Sequence, residues 1–183
     1  MAVREIRLEG DPILKKISRE VTNIDERTLQ ILDDMVETMY AADGLGLAAV
    51  QVGILRRLVV IDIGQGPIKM INPKITKREG MTISREGCLS VPDVNGMVRR
   101  PKTVSVEYTD IEGKTVTIEN AQGLLKKALC HELDHLDGIV YTDVAEVVFD
   151  MDDIEKYEEL YDVKPVCRGT NSYDYETELH EVN

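Results

Sequence analysis

The segment of this chain best equipped for chemistry is His131-Glu132-Leu133-Asp134-His135. Histidines four apart on a helix lie one turn apart on one face, so both imidazoles can reach a single metal ion. Glu132 then stands beside that ion rather than on it, where a carboxylate can move the protons of an activated water. The pattern predicts metal-assisted hydrolysis and leaves the third protein ligand open. His180, the remaining histidine, lies in a polar acidic stretch and reads as solvated.

Three completions compete for the third ligand. The metzincin pattern needs a histidine three residues past Gly138, where this chain has Tyr141, and a neutral phenol is a poor substitute. A glutamate from a downstream helix would give a two-His-one-Glu site. Glu155, Glu158 and Glu159 are candidates, although they also fit a solvated helix face. Cys88, in Glu86-Gly87-Cys88-Leu89-Ser90, would give a thiolate and two imidazoles with one open position. Burial is the default fate of a free cysteine. Here, though, Gly87 removes bulk beside the thiol, and the flanking residues are more polar than those around a simple core strand. Cys130, next to His131, reads as packed, and Cys167 has no evident companion.

A second glycine-containing stretch, Gly44-Leu45-Gly46-Leu47-Ala48-Ala49-Val50-Gln51, fails as a phosphate loop because no Gly-Lys-Ser/Thr follows. Its small residues allow close packing, and Gln51 is a side-chain amide that could donate to a developing oxyanion. It could equally be an exposed residue at a strand start.

These groups need a scaffold. Asp25 or Asn23 can cap a helix over 26–42, with Leu29, Leu32, Met35, Val36 and Met39 on its buried face. Strands are expected at 58–63, 70–77, 104–108 and 115–119, the last pair joined by a turn at Asp110-Ile111-Glu112-Gly113. The motif helix spans about 121–136 and stops at Gly138; a final helix covers about 151–161. The fold class is α+β: mostly antiparallel strands around a central helix carrying the metal motif, with an N-terminal helix and an acidic C-terminal helix and tail. Residues 1–162 read as one catalytic domain and 163–183 as a polar, weakly ordered tail.

With 183 residues, 43% hydrophobic and 31% charged, the composition is that of a globular protein. No apolar run could span a bilayer, and no signal-peptide core opens the chain. Three cysteines at unrelated spacings argue against a disulfide framework, so the expected compartment is the cytoplasm. The net charge of −12 is lopsided: residues 1–142 hold 21 acids and 19 bases, residues 143–183 hold 13 acids and three bases. Such a C-terminal segment is unsuited to gripping nucleic-acid phosphates, which speaks against DNA as a partner.

Taken in order, the segments 44–51, 86–90 and 131–135 resemble the three motifs of the peptide deformylases, and the resemblance covers about residues 3–145. It implies a hydrolase that removes the formyl group from the N-formylmethionyl end of nascent polypeptides, releasing formate. By the same resemblance, Cys88, His131 and His135 are the metal ligands, and Glu132 is general base and then acid. Gln51 and the backbone N–H of Leu89 hold the oxyanion, while Leu45, Gly46 and Gly87 pair with the substrate backbone. One divalent ion is implied, Fe²⁺ in the cell, with Zn²⁺, Ni²⁺ or Co²⁺ possible in a purified sample. Departures are Val50 where many members have Pro, and Lys127, one turn before His131, which is expected near the mouth of the side-chain pocket. Some members dock on the ribosome through a basic C-terminal helix; the acids at 155, 158 and 159 speak against that mode here. Any ribosome association would be weak.

Overall fold

The computed structural model describes residues 2–163. Cys167, His180 and the expected tail from 164 onward lie outside the described residues. Asp25 caps the first helix, α1 (Glu26–Ala41), its carboxylate accepting from the Thr28 amide at 2.8 Å. A run of short strands follows: β1 (Gly46–Ala48), β2 (Leu58–Ile61), β3 (Ile68–Glu79), β4 (Thr82–Cys88), β5 (Val91–Arg100), β6 (Thr103–Thr109) and β7 (Thr115–Ala121). The motif helix α2 (Gly123–Leu136), a single turn α3 (Tyr141–Val144), strand β8 (Ala145–Asp150) and helix α4 (Ile154–Tyr161) complete the order. The class is the α+β arrangement expected from the sequence.

Two antiparallel sheets form among the described residues, one in the order β1-β2-β3-β6-β7 and one in the order β4-β5-β8. The first is a filling between two helices. Val59 and Ile61 of β2 pack with Leu129, Cys130, Leu133 and Leu136 of α2, while Leu58 and Val60 pack with Ile31, Leu32, Met35 and Met39 of α1. A strand covered on both faces reads as an unbroken apolar run, which is why Leu-Val-Val-Ile is so visible in the sequence. On α1 the fully buried stripe includes Ile31, while Leu29 and Val36 are only half-buried.

The second sheet departs from the sequence reading, which assigned no strands to 82–100 or 145–150. Its buried Ser84, Glu86, Asn95 and Arg100 sit among Val91, Met97 and Val98, so polar and charged residues interrupt the hydrophobic alternation that marks a strand. Other shifts are small. Ala121 ends β7 rather than opening α2, and the C-terminal helix starts at Ile154 after a 3-10 turn over Met151–Asp153. Gly138 does stop α2, at φ +76°, and a Cβ there would lie 2.6 Å from the Lys15 carbonyl oxygen.

Both sheets leave an edge toward the same cleft, β1 from one and β4 from the other. The N-terminal segment ties them together: the Arg7 amide donates to the Gln51 carbonyl and the Glu9 amide to the Ser90 carbonyl, each at 2.7 Å.

Candidate metal centre and substrate cleft

Helical spacing brings His131 and His135 side by side on α2, their ring centroids 4.9 Å apart. Cys88 arrives from the other sheet. A register shift between Glu86 and Cys88 breaks the β4–β5 ladder, and such bulges re-aim side chains. The Cys88 sulfur lies 3.2 Å from His135 Nε2. Ligand atoms of Cys88, His131 and His135 all lie within 4.8 Å of one another, the one such grouping among the described residues.

The trio fits a metal. Bonds of ~2.3 Å to sulfur and ~2.1 Å to nitrogen at tetrahedral angles set neighbouring ligand atoms about 3.5 Å apart, within a few tenths of the observed Cys88–His135 separation. His131 is also held from behind, its Nδ1 3.0 Å from Glu86 Oε2. A carboxylate behind a histidine fixes the tautomer and frees Nε2 for a metal. Burial alone would raise the Glu86 pKa, but hydrogen bonds from Arg100 and His131 outweigh it and hold the carboxyl at about 2. Arg100 grips both Glu86 oxygens at 2.7 and 2.9 Å and reaches Asp134 at 2.6 Å. Burial depresses His135 well below the usual histidine range. The glutamates weighed as third ligands stand elsewhere. Glu155 and Glu159 are exposed on α4, and Glu158 forms an ion pair with Arg85 at 2.6 Å rather than facing solvent. Tyr141 is buried, its hydroxyl donating to the Val94 carbonyl.

Glu132, also on α2, is buried against β1. Burial pushes its carboxyl up to about 7, against the lowering effect of His131. A Cβ on Gly46 would come within 2.5 Å of Glu132 Oε1, so this position must be glycine for the carboxylate to approach the strand. Gln51 is buried too, contrary to the exposed alternative. Its Oε1 accepts from the Ala48 amide at 2.8 Å, which turns the NH₂ end toward Cys88 Sγ at 3.4 Å and Ser90 Oγ at 3.2 Å. The amide thus presents donors to the metal side of the cleft.

A cavity of about 340 Å³ opens over these groups. Leu45, Gly46, Gln51, Gly87, Cys88, Leu89, His131 and Glu132 all line it, so every expected site residue except the deeper His135 borders one cleft. Sequence reasoning missed the support behind it: Glu86, Arg100 and Asp134, and the cavity walls at Asn95 and Met151. Glu86 and Asp134 lie inside the recognised motifs, but nothing local says that an arginine 14 residues from Glu86 closes the network.

A family model for polypeptide deformylase matches residues 3–148. A peptide deformylase of Acetivibrio thermocellus is 55% identical over 159 residues, which cover 87% of this chain and 93% of the relative. One of Finegoldia magna is 59% identical over 148 residues, covering 78% and 90%. Among solved structures, peptide deformylase from Thermotoga maritima aligns with a TM-score of 0.77 at 38% identity, over 80% of this chain and all of that one. Another, from Synechococcus elongatus in complex with actinonin, aligns at 0.76 with 37% identity, over 89% and 91%.

Proposed function

The chain belongs to the polypeptide deformylase family and is an enzyme of that kind; from that premise we propose that it is a metal-dependent hydrolase releasing formate from the formylmethionyl end of nascent polypeptides. The observation that carries the reading is the convergence of Cys88, His131 and His135 within 4.8 Å, with Glu132 and Gln51 on the same cleft. Held by those three ligands, a divalent ion would polarise the formyl carbonyl and make water nucleophilic near neutral pH. The thiolate makes a soft donor set compatible with ferrous iron as well as zinc, and Fe²⁺ is the proposed ion in the cell.

The remaining work falls to the chain itself. The peptide backbone lies as an added strand along the edge of β1, meeting Leu45 and Gly46 on one side and Gly87 on the other. The side-chain amide of Gln51 and the backbone N–H of Leu89 donate to the carbonyl oxygen as it gains charge. Glu132 takes a proton from the attacking water and returns it to the departing amine nitrogen as the C–N bond breaks. Water and amide go in; formate and a free amino terminus come out. Because a formyl carbon carries only hydrogen, a narrow cleft admits it and excludes larger acyl groups.

We place this reaction in the cytoplasm, in a single catalytic domain over residues 1–162. Among the described residues no helix is long and apolar enough to cross a membrane. Glu155 and Glu159, exposed on α4, would repel ribosomal RNA, so any ribosome contact uses another face. The test is formate release from formyl-Met-Ala-Ser by anaerobically prepared enzyme, before and after chelation and after adding back Fe²⁺. Release that vanishes on chelation and returns with the ion supports the reading. Release that chelation leaves untouched rejects it.

A further inference from the structure

One charged side chain in the cleft has no part in the chemistry above. Leu124, Lys127, Ala128 and His131 all border the cavity at positions i, i+3, i+4 and i+7 of α2, so Lys127 belongs to the face that walls the space beside the metal ligands. The other α2 residues on the cavity are the apolar Leu124 and Ala128, and His131 and Glu132 of the reaction site. Lys127 is half-buried and, among the described residues, has no hydrogen-bond or ion-pair partner.

The carboxylates whose charge it feels are Glu86 and Glu158. Both are committed elsewhere, Glu86 to Arg100 and His131 and Glu158 to Arg85. Arg85 and Lys126 add repulsion. Burial, with those two cations, lowers the lysine to about 8, so it still carries its proton at neutral pH. An ammonium bordering the cavity with donors the protein leaves unused can donate to an acceptor placed there.

We propose that Lys127 is a specificity-determining residue. Its Nζ closes the pocket for the first side chain of the formylated peptide and donates to an acceptor atom at that side chain's tip. The favoured substrate class is therefore formyl peptides whose first residue ends in a hydrogen-bond acceptor: the weak thioether sulfur of methionine, and more strongly the oxygen of methionine sulfoxide. Norleucine has the same chain length with a methylene in place of sulfur, and it leaves the ammonium unpaired. The inference rests on the deformylase reading, since it assigns the side-chain pocket of that reaction.

The experiment compares kcat/KM for formyl-Met-Ala-Ser, formyl-methionine-sulfoxide-Ala-Ser and formyl-norleucyl-Ala-Ser in the wild-type holoenzyme, Lys127→Met and Lys127→Arg. A hydrogen bond from a charged donor is worth on the order of ten-fold or more in such a ratio. Wild type should favour the sulfoxide peptide over the norleucine peptide by about that factor. Lys127→Met should reverse the order, mainly through KM of the sulfoxide peptide, and Lys127→Arg should keep it. Wild-type enzyme that prefers norleucine overturns the proposal even if neither variant folds, as does a Lys127→Met enzyme with ratios within about two-fold of wild type. Wild-type enzyme inert toward all three peptides overturns the deformylase reading itself.

Discussion

The two sheets of this molecule are built on opposite terms. In the five-stranded sheet, β2 and its neighbours bury apolar residues on both faces, against α1 on one side and α2 on the other. In the three-stranded sheet, β4 and β5 bury Ser84, Glu86, Asn95 and Arg100 alongside Val91, Met97 and Val98. The first sheet supplies hydrophobic stability and a rigid bed for α2. The second supplies the Cys88 sulfur and the buried charge that orients a histidine. Dividing the labour in this way places the buried Glu86–Arg100 pair where it orients His131.

That division predicts different consequences on the two sides, and the largest belongs to the charged network. Glu86→Ala would leave Arg100 and His131 without their shared partner. Breaking a buried pair costs ~3–5 kcal/mol, and losing a carboxylate behind a metal histidine costs ~10–100-fold in metal affinity. Urea denaturation and metal titration should both register the change. A variant with normal metal affinity would mean that Glu86 is only packing.

On the apolar side, Leu32→Ala removes a fully buried side chain between α1 and β2. The expected loss is ~2–5 kcal/mol of stability by the same denaturation measurement, with kcat/KM and metal affinity of the folded enzyme unchanged. Impaired metal binding in this variant would erase the contrast between the sheets. Glu158→Ala should fall between effect and silence. Its partly buried pair with Arg85 is worth about 1 kcal/mol, read as a small fall in Tm.

The smallest effect is expected at Asp34, which fastens the N-terminal segment to α1. Burial raises its pKa, but hydrogen bonds from Gln30, the Ala2 amide and Arg4, with the charge of Arg4, more than offset that and hold it below 3.8. A carboxyl depressed in the folded state stabilises above its unfolded value, and that contribution is lost as pH falls through the folded one. Asp34→Asn should therefore lower stability at neutral pH and flatten its decline below about pH 4. An unchanged acid limb would remove Asp34 from the account.

Legibility in the sequence follows the same line. The apolar sheet announced itself through Leu58–Ile61 and through the stripe on α1, because alternation and helical periodicity are signals of apolar burial. The three chemical motifs were legible because residue type and spacing carry their meaning locally. The charged sheet was not. The sequence assigned no role to Glu86, Asn95 or Arg100, because their partners lie on other strands and on α2. Glu158, taken as part of a solvated face, meets Arg85 only because α4 folds back over β5. Pairings between distant charges leave no trace in a local pattern.

The central claim is that Cys88, with the two histidines, holds a metal on which Glu132 acts as proton carrier. The most direct test purifies Cys88→Ala and Glu132→Gln anaerobically, then measures bound metal and formate release from formyl-Met-Ala-Ser side by side. The account predicts that Cys88→Ala loses the metal and turnover together. Glu132→Gln should retain stoichiometric metal and lose turnover by on the order of 10²–10⁴-fold. Full metal occupancy in Cys88→Ala, or near-normal turnover in Glu132→Gln, would contradict it.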